Sequence, residues 1–242
     1  MTKNILLGIL LFALLYIFFY PVGLPLETWT PPEHPGYENH YLPNDMLAAI
    51  SPASGECLQC EDTHLWRGQI VGGDVNGNII GFQDGEKVII GNTGGRPLGL
   101  DVDQNDNLVI ADAIKGLLSM DSTGNITVLS TTSDGIPFKF TDDVEVAPNG
   151  KMYFSDASSE RGWGTSILEG FIHGTNGRLL EYDPGTKRTR TLMDDLAFAN
   201  GVAVSPDGSY VLVNVTFKYK INRHWLSGPK AGTNEMFKQN LP

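Results

Sequence analysis

The sequence has little of what carries the commonest chemistries. Two cysteines and five histidines in 242 residues are too few for a disulfide scaffold or a Cys/His metal cluster. Basic residues are scarce and unclustered: 17 Lys and Arg stand against 28 Asp and Glu, a formal charge of −11. Nothing here offers a footprint for nucleic acid phosphates, and no nucleic-acid partner is expected. Charge of either sign is modest, at 19% of residues against 41% hydrophobic. That is not the composition of a disordered chain, and the length suffices for a sizeable core. Long helical periodicity is missing after Glu61. In its place stand 28 glycines and 14 prolines, the composition of a turn-rich β protein.

One long apolar run is present. Residues 4 to 26 carry no charge, and Ile5 to Tyr20 are almost wholly Leu, Ile, Phe and Tyr. A hydrocarbon core takes about 20 apolar residues of helix, and residues 5–24 supply them. A cleaved secretory signal would be shorter and end in small residues, whereas this run exits through Phe18-Phe19-Tyr20-Pro21. An uncleaved transmembrane helix within residues 1–26 is therefore expected, with membrane contact through residues 5–24. Lys3 precedes the run and Glu27 is the first charge after it. By the positive-inside rule the N-terminus is cytoplasmic, and the remainder of this single-pass protein faces the periplasm, lumen or exterior.

Residues 27–60 read as a Pro-rich connector with a short helix over Asn44–Ile50, capped by Asn44 and stopped by Pro52. Cys57 and Cys60 fall in a Ser/Pro/Gly-containing stretch with no strand before them and no second ligand pair. A local disulfide in an oxidising compartment, or two idle thiols, accounts for them better than a redox or zinc motif.

From residue 61 onward, short alternating apolar runs are separated by Asn-Gly, Asp-Gly and Pro-Asn-Gly turns, the hairpin pattern. Gly99–Ala113, Asp143–Ala157 and Gly201–Val215 each read strand, polar turn, strand, with Leu100, Val144 and Val202 at equivalent places. Leu100 and Val144 are 44 residues apart, and Val144 and Val202 are 58 apart. The excess fits an insertion at Ser158–Asn176. Second hairpins follow at Gly116–Leu129 and Gly177–Leu192, and Leu65–Ile90 reads as a preceding unit. Four strands recurring every 40 to 50 residues mark about four β-propeller blades in residues 61–242. Asp112 and Asp156 end equivalent strands and suit hydrogen bonding within blades.

Specific residues then carry a resemblance. Gly95-Arg96-Pro97-Leu98-Gly99-Leu100, Ala111-Asp112-Ala113, Tyr153-Phe154-Ser155-Asp156 and Gly177-Arg178-Leu179-Leu180-Glu181-Tyr182-Asp183-Pro184 occur in order with Phe198-Ala199-Asn200-Gly201-Val202-Ala203 and Trp225-Leu226-Ser227-Gly228-Pro229-Lys230. Together with Gly116-Leu117 they resemble the strictosidine synthase-like family, kin to gluconolactonases, regucalcin and paraoxonases. The resemblance implies an all-β, six-bladed-type propeller, incomplete here, since relatives continue past the counterpart of Lys238–Pro242 into two more blades.

It also implies a divalent cation, usually Ca2+, held in the central channel by oxygen ligands from different blades. Glu61, Asp142 and Asn200 match the ligand positions, Asp142 standing where relatives often have Asn. The final carboxylate would follow Pro242. The implied function is a membrane-anchored, calcium-dependent hydrolase of lactones or aryl esters. The alternatives are a non-catalytic interaction module with a structural ion and, with less support, amine–aldehyde condensation. No Ser/His/Asp or Cys/His arrangement is apparent, and the general base is unassigned. His64 lies near Glu61 in sequence and is a candidate proton carrier, but a satisfied or solvated His is the plainer reading.

Overall fold

The computed structural model describes residues 59–241 except Asp84, Gly85, Ile167 and His173, together with Gly8 and Leu11, both helical. The expected membrane helix and connector otherwise lie outside the described residues. Among those described, no helix is long and apolar enough to cross a membrane. The chain divides into two compact units, residues 1–31 and 32–242, and every described strand belongs to the second.

Four sheets of four antiparallel strands follow one another along the chain. Blade I comprises β1 (Thr63–Trp66), β2 (Gln69–Gly73), β3 (Asn78–Gln83) and β4 (Glu86–Asn92). Blade II comprises β5 (Pro97–Val102), β6 (Leu108–Asp112), β7 (Gly116–Met120) and β8 (Ile126–Ser130). A two-stranded excursion, β9 (Thr132–Ser133) with β10 (Ile136–Pro137), leads to blade III. Its strands are β11 (Thr141–Val146), β12 (Met152–Asp156), β13 (Gly177–Asp183) and β14 (Arg188–Leu196). Blade IV holds β15 (Ala199–Val204), β16 (Tyr210–Val215), β17 (Lys220–Trp225) and β18 (Asn234–Gln239). Strand order within every sheet is sequential, as the recurring hairpins require, and the innermost strands β1, β5, β11 and β15 adjoin one another in turn.

The core lies between sheets. Because side chains alternate across a strand, Leu108 and Ile110 of β6 pack with Trp66, Val71 and Ile79 of blade I. Val109 and Ala111 of the same strand pack with Val144, Met152 and Phe154 of blade III. Leu180 and Leu179 likewise split between blades II and IV. Sheets buried on both faces read as continuous apolar runs, and each such Leu or Ile contributes about 1.5–3 kcal/mol by burial.

Turns repeat as well as strands. Asp74, Asp103 and Asp121 each open a five-residue loop in which one carboxylate oxygen accepts backbone N–H bonds from the residues two and four places on. The other oxygen accepts the side-chain amide of Asn78, Asn107 or Asn125. The expected insertion at Ser158–Asn176 holds a short helix, α1 (Leu168–Ile172). Its buried Glu169 accepts from Ser158 Oγ at 2.6 Å and from Asn176 Nδ2 at 3.3 Å.

Candidate functional site

The inner strands of blades II, III and IV share one irregularity. Pairing runs Pro97↔Asp112 then Leu100↔Ile110, Thr141↔Asp156 then Val144↔Phe154, and Ala199↔Val215 then Val202↔Val213. Each time three steps on the inner strand face two on its partner, so each carries a bulge with one extra residue. Leu98, Asp142 and Asn200 therefore occupy one station, and Gly99, Asp143 and Gly201 the next. Leu100, Val144 and Val202 are equivalent, as the repeat predicts. Asn200 lies within a strand, not in an Asn-Gly turn. Phe198, two residues before it, has a φ of 66°, a left-handed backbone uncommon for an aromatic residue.

Blade I joins this frame through a second pattern, one that sequence reasoning missed. Asp143 Oδ2 accepts the N–H of Val202 in the following blade at 2.7 Å, and Asp62 Oδ2 accepts the N–H of Leu100 at 2.9 Å. Two stations further, Asp101 Oδ2 accepts from Val146 N at 2.6 Å and Glu145 Oε2 from Val204 N at 3.0 Å. Since Leu100 matches Val202, Asp62 matches Asp143. Glu61 then matches Asp142 and Asn200, and His64 matches Asp101 and Glu145. The three expected ligands thus hold one station in three different blades.

Glu61 and Asn200 line a single cavity of about 430 Å³, together with His64, Asp101, Asp143 and Glu145. Asp142 is buried, 3% exposed, and its Oδ2 has no hydrogen-bond partner. Burial above all, then the charges of Glu61, Asp143 and Asp156, push its pKa well above the ordinary value. Glu61 is raised by desolvation of its carboxyl and by Asp143, with Arg96 pulling the other way. Asp143 is raised to about 6 by burial, against two backbone hydrogen bonds, and Glu145 is raised mainly by burial. Burial and like charge thus bias these carboxyls toward the neutral form, and a cation among them would favour the ionised one.

Arg96 is the buried counter-charge that sequence reasoning did not assign. It is 4% exposed, donates through Nη2 to Gln59 O at 2.7 Å, and stacks over Trp163 at 4.8 Å. Asp112 accepts three backbone N–H bonds, from Arg96, Ile114 and Lys115. Asp156 accepts from Lys139 and Phe140 and pairs with Arg178 at 2.6 Å. Both do the structural work expected of them. Cys60 is disulfide-bonded.

The donor set suits a hard cation: only oxygen from Glu61, Asp142 and Asn200, one buried oxygen lacking any partner, and acidic surroundings. Among the described residues, however, no group of three or more His, Cys, Asp or Glu could by itself hold a metal. The amide of Asn200 would add a neutral oxygen to those of Glu61 and Asp142.

Comparison with known proteins agrees with the motifs. Residues 142–229 match the family model described as strictosidine synthase. Strictosidine synthase-like 4 of Arabidopsis thaliana is 42% identical over 153 residues, covering 62% of this chain and 40% of that protein. The adipocyte plasma membrane-associated protein of Gallus gallus is 36% identical over 231 residues, covering 81% of this chain and 54% of that protein. The chain thus spans about half, or less, of the length of these relatives. Among solved structures, a gluconolactonase from Xanthomonas campestris superposes with a TM-score of 0.62 at 19% identity, over 75% of this chain and 63% of that one. A calcium-binding regucalcin from Agrobacterium tumefaciens gives 0.58 at 17%, over 75% and 59%. These two share the fold. The resemblance read from the seven motifs, to the strictosidine synthase-like family, is shown by the family match and the curated relatives.

Proposed function

We propose that this strictosidine synthase-like chain forms part of a six-bladed-type, lactonase-like propeller hydrolase that acts on lactones or aryl esters. The observation that carries the reading is the equivalence of Glu61, Asp142 and Asn200 in three blades, with Glu61 and Asn200 lining one cavity and Asp142 buried beside its lining residue Asp143 with Oδ2 unpartnered. These residues would hold a calcium ion or another divalent cation. When bound, such an ion supplies Lewis-acid polarisation of a carbonyl oxygen.

The chain's own contribution is arrangement. Asp62, Asp101, Asp143 and Glu145 tie each inner strand to a neighbouring backbone, so the station stays fixed while substrate enters. Arg96 holds the backbone of Gln59, two residues before Glu61. The cavity wall is largely acidic, which disfavours anionic substrates and favours neutral esters. The same reading tethers the domain to a membrane through residues 5–24, with the domain on the non-cytoplasmic side. A disulfide at Cys60 suits that oxidising compartment.

The test is hydrolysis of simple lactones and aryl esters by the full chain, with and without a chelator. Turnover lost on chelation and restored by calcium is expected. The alternative reading is a non-catalytic module with a structural ion. Calcium-dependent stability without turnover would decide for that alternative.

A further inference from the structure

His64 is the one imidazole among the described residues lining the cavity, and its surroundings distinguish it from a solvated surface histidine. Its Nε2 lies 3.5 Å from Asp101 Oδ1, with side chains 34% and 18% exposed. Asp101 cannot drift, because its Oδ1 accepts from Val102 N at 2.7 Å and its Oδ2 from Val146 N at 2.6 Å. The imidazole is thus partnered by a fixed carboxylate yet open to water and to a substrate.

The frame of equivalent stations sharpens the point. At the place of His64, blades II and III carry Asp101 and Glu145, and both spend a carboxylate oxygen on the backbone of the next blade. In blade I the tie to blade II is made by Asp62 instead. His64 is therefore released from that structural duty, and the position holds the side chain best suited to exchange protons near neutrality.

We propose that His64, oriented by Asp101, is the general base and acid of the cavity. The assignment rests on the hydrolase reading above. Asp101 beside Nε2 favours the proton there and leaves the Nδ1 lone pair basic. As the oxygen of a water bonds to the lactone or ester carbonyl carbon, Nδ1 takes one water proton and the carbonyl π pair moves to its oxygen. When that pair returns, the bond to the leaving oxygen breaks and Nδ1 gives its proton to the departing alkoxide. One water is consumed, and a carboxylic acid and an alcohol form. Asp101 stabilises the imidazolium between the two steps and is a positioning residue. Glu61, Asp62, Asp143 and Glu145 face the same space.

The experiment compares lactone and aryl ester turnover by the full chain, in calcium, with His64→Gln, His64→Gly and Asp101→Asn. Removing a general base costs about 10²-fold or more in kcat, so His64→Gln is expected to lose at least that while KM and thermal stability stay near wild type. Added imidazole should restore part of the rate in His64→Gly and none in His64→Gln. Asp101→Asn should lower kcat less than His64→Gln does. An active wild type with His64→Gln within threefold of it, or with no rescue of His64→Gly, overturns the role of His64 alone. A wild type that turns over neither substrate class overturns the hydrolase reading and this assignment together.

Discussion

Glu181, on β13, is 3% exposed and meets Lys151 Nζ at 3.0 Å and Arg190 Nε and Nη2 at 2.8 and 3.0 Å. Burial opposes its ionisation, but the hydrogen bonds and charges of Arg190 and Lys151 outweigh it and hold the carboxyl below its ordinary value of 4.5. A depressed folded-state pKa gives stability that is complete above the ordinary value and is lost as pH falls through the folded one. Glu181→Gln should therefore cost about 1–3 kcal/mol at pH 7, and its deficit should shrink as pH drops below 4.5. Denaturant melts at several pH values test this, and a deficit that does not change with pH would contradict it. The stretch Gly177–Pro184 was legible as a family motif, but this charge network was not, because Lys151 sits in a turn 30 residues upstream. Asp112 and Asp156 were readable, since they end equivalent strands, although their partners lie 2 to 22 positions away.

The carboxylate ties between blades were invisible in sequence for a physical reason. Their acceptors are ordinary Asp and Glu side chains, and their donors are backbone N–H groups 38 to 59 positions away, which no residue type marks. The bulges are hidden likewise, because register is a property of the pair and not of either strand. Hairpins were legible because Asn-Gly and Asp-Gly turns signal locally. Helix α1 and the β9–β10 pair were not, being too short for any period to show. Glu145→Ala removes the acceptor for Val204 N. It should destabilise the protein by about 1–3 kcal/mol and speed amide exchange at Val204, while Val146, held by Asp101, stays protected. Unchanged exchange at Val204 would show that the tie carries no weight.

Across the whole molecule, strand–turn–strand repetition was enough to read the four sheets, since every sheet packs against a neighbour, blades II and III on both faces, and the apolar pattern records that. The candidate site was legible only in part. Asp142 and Asn200 stand at repeat-equivalent positions, whereas Glu61 precedes the first strand and required the family resemblance. Its place in the frame emerges from Asp62, whose hydrogen bond to Leu100 copies that of Asp143 to Val202. The central claim is that these three residues from three blades share one divalent cation. Calorimetric titration of the full chain with calcium tests it most directly. One ion per chain should bind, with affinity at least tenfold weaker in Asn200→Ala, which removes a neutral carbonyl without changing net charge. Equal affinity in Asn200→Ala and wild type, or no binding by wild type, would contradict it.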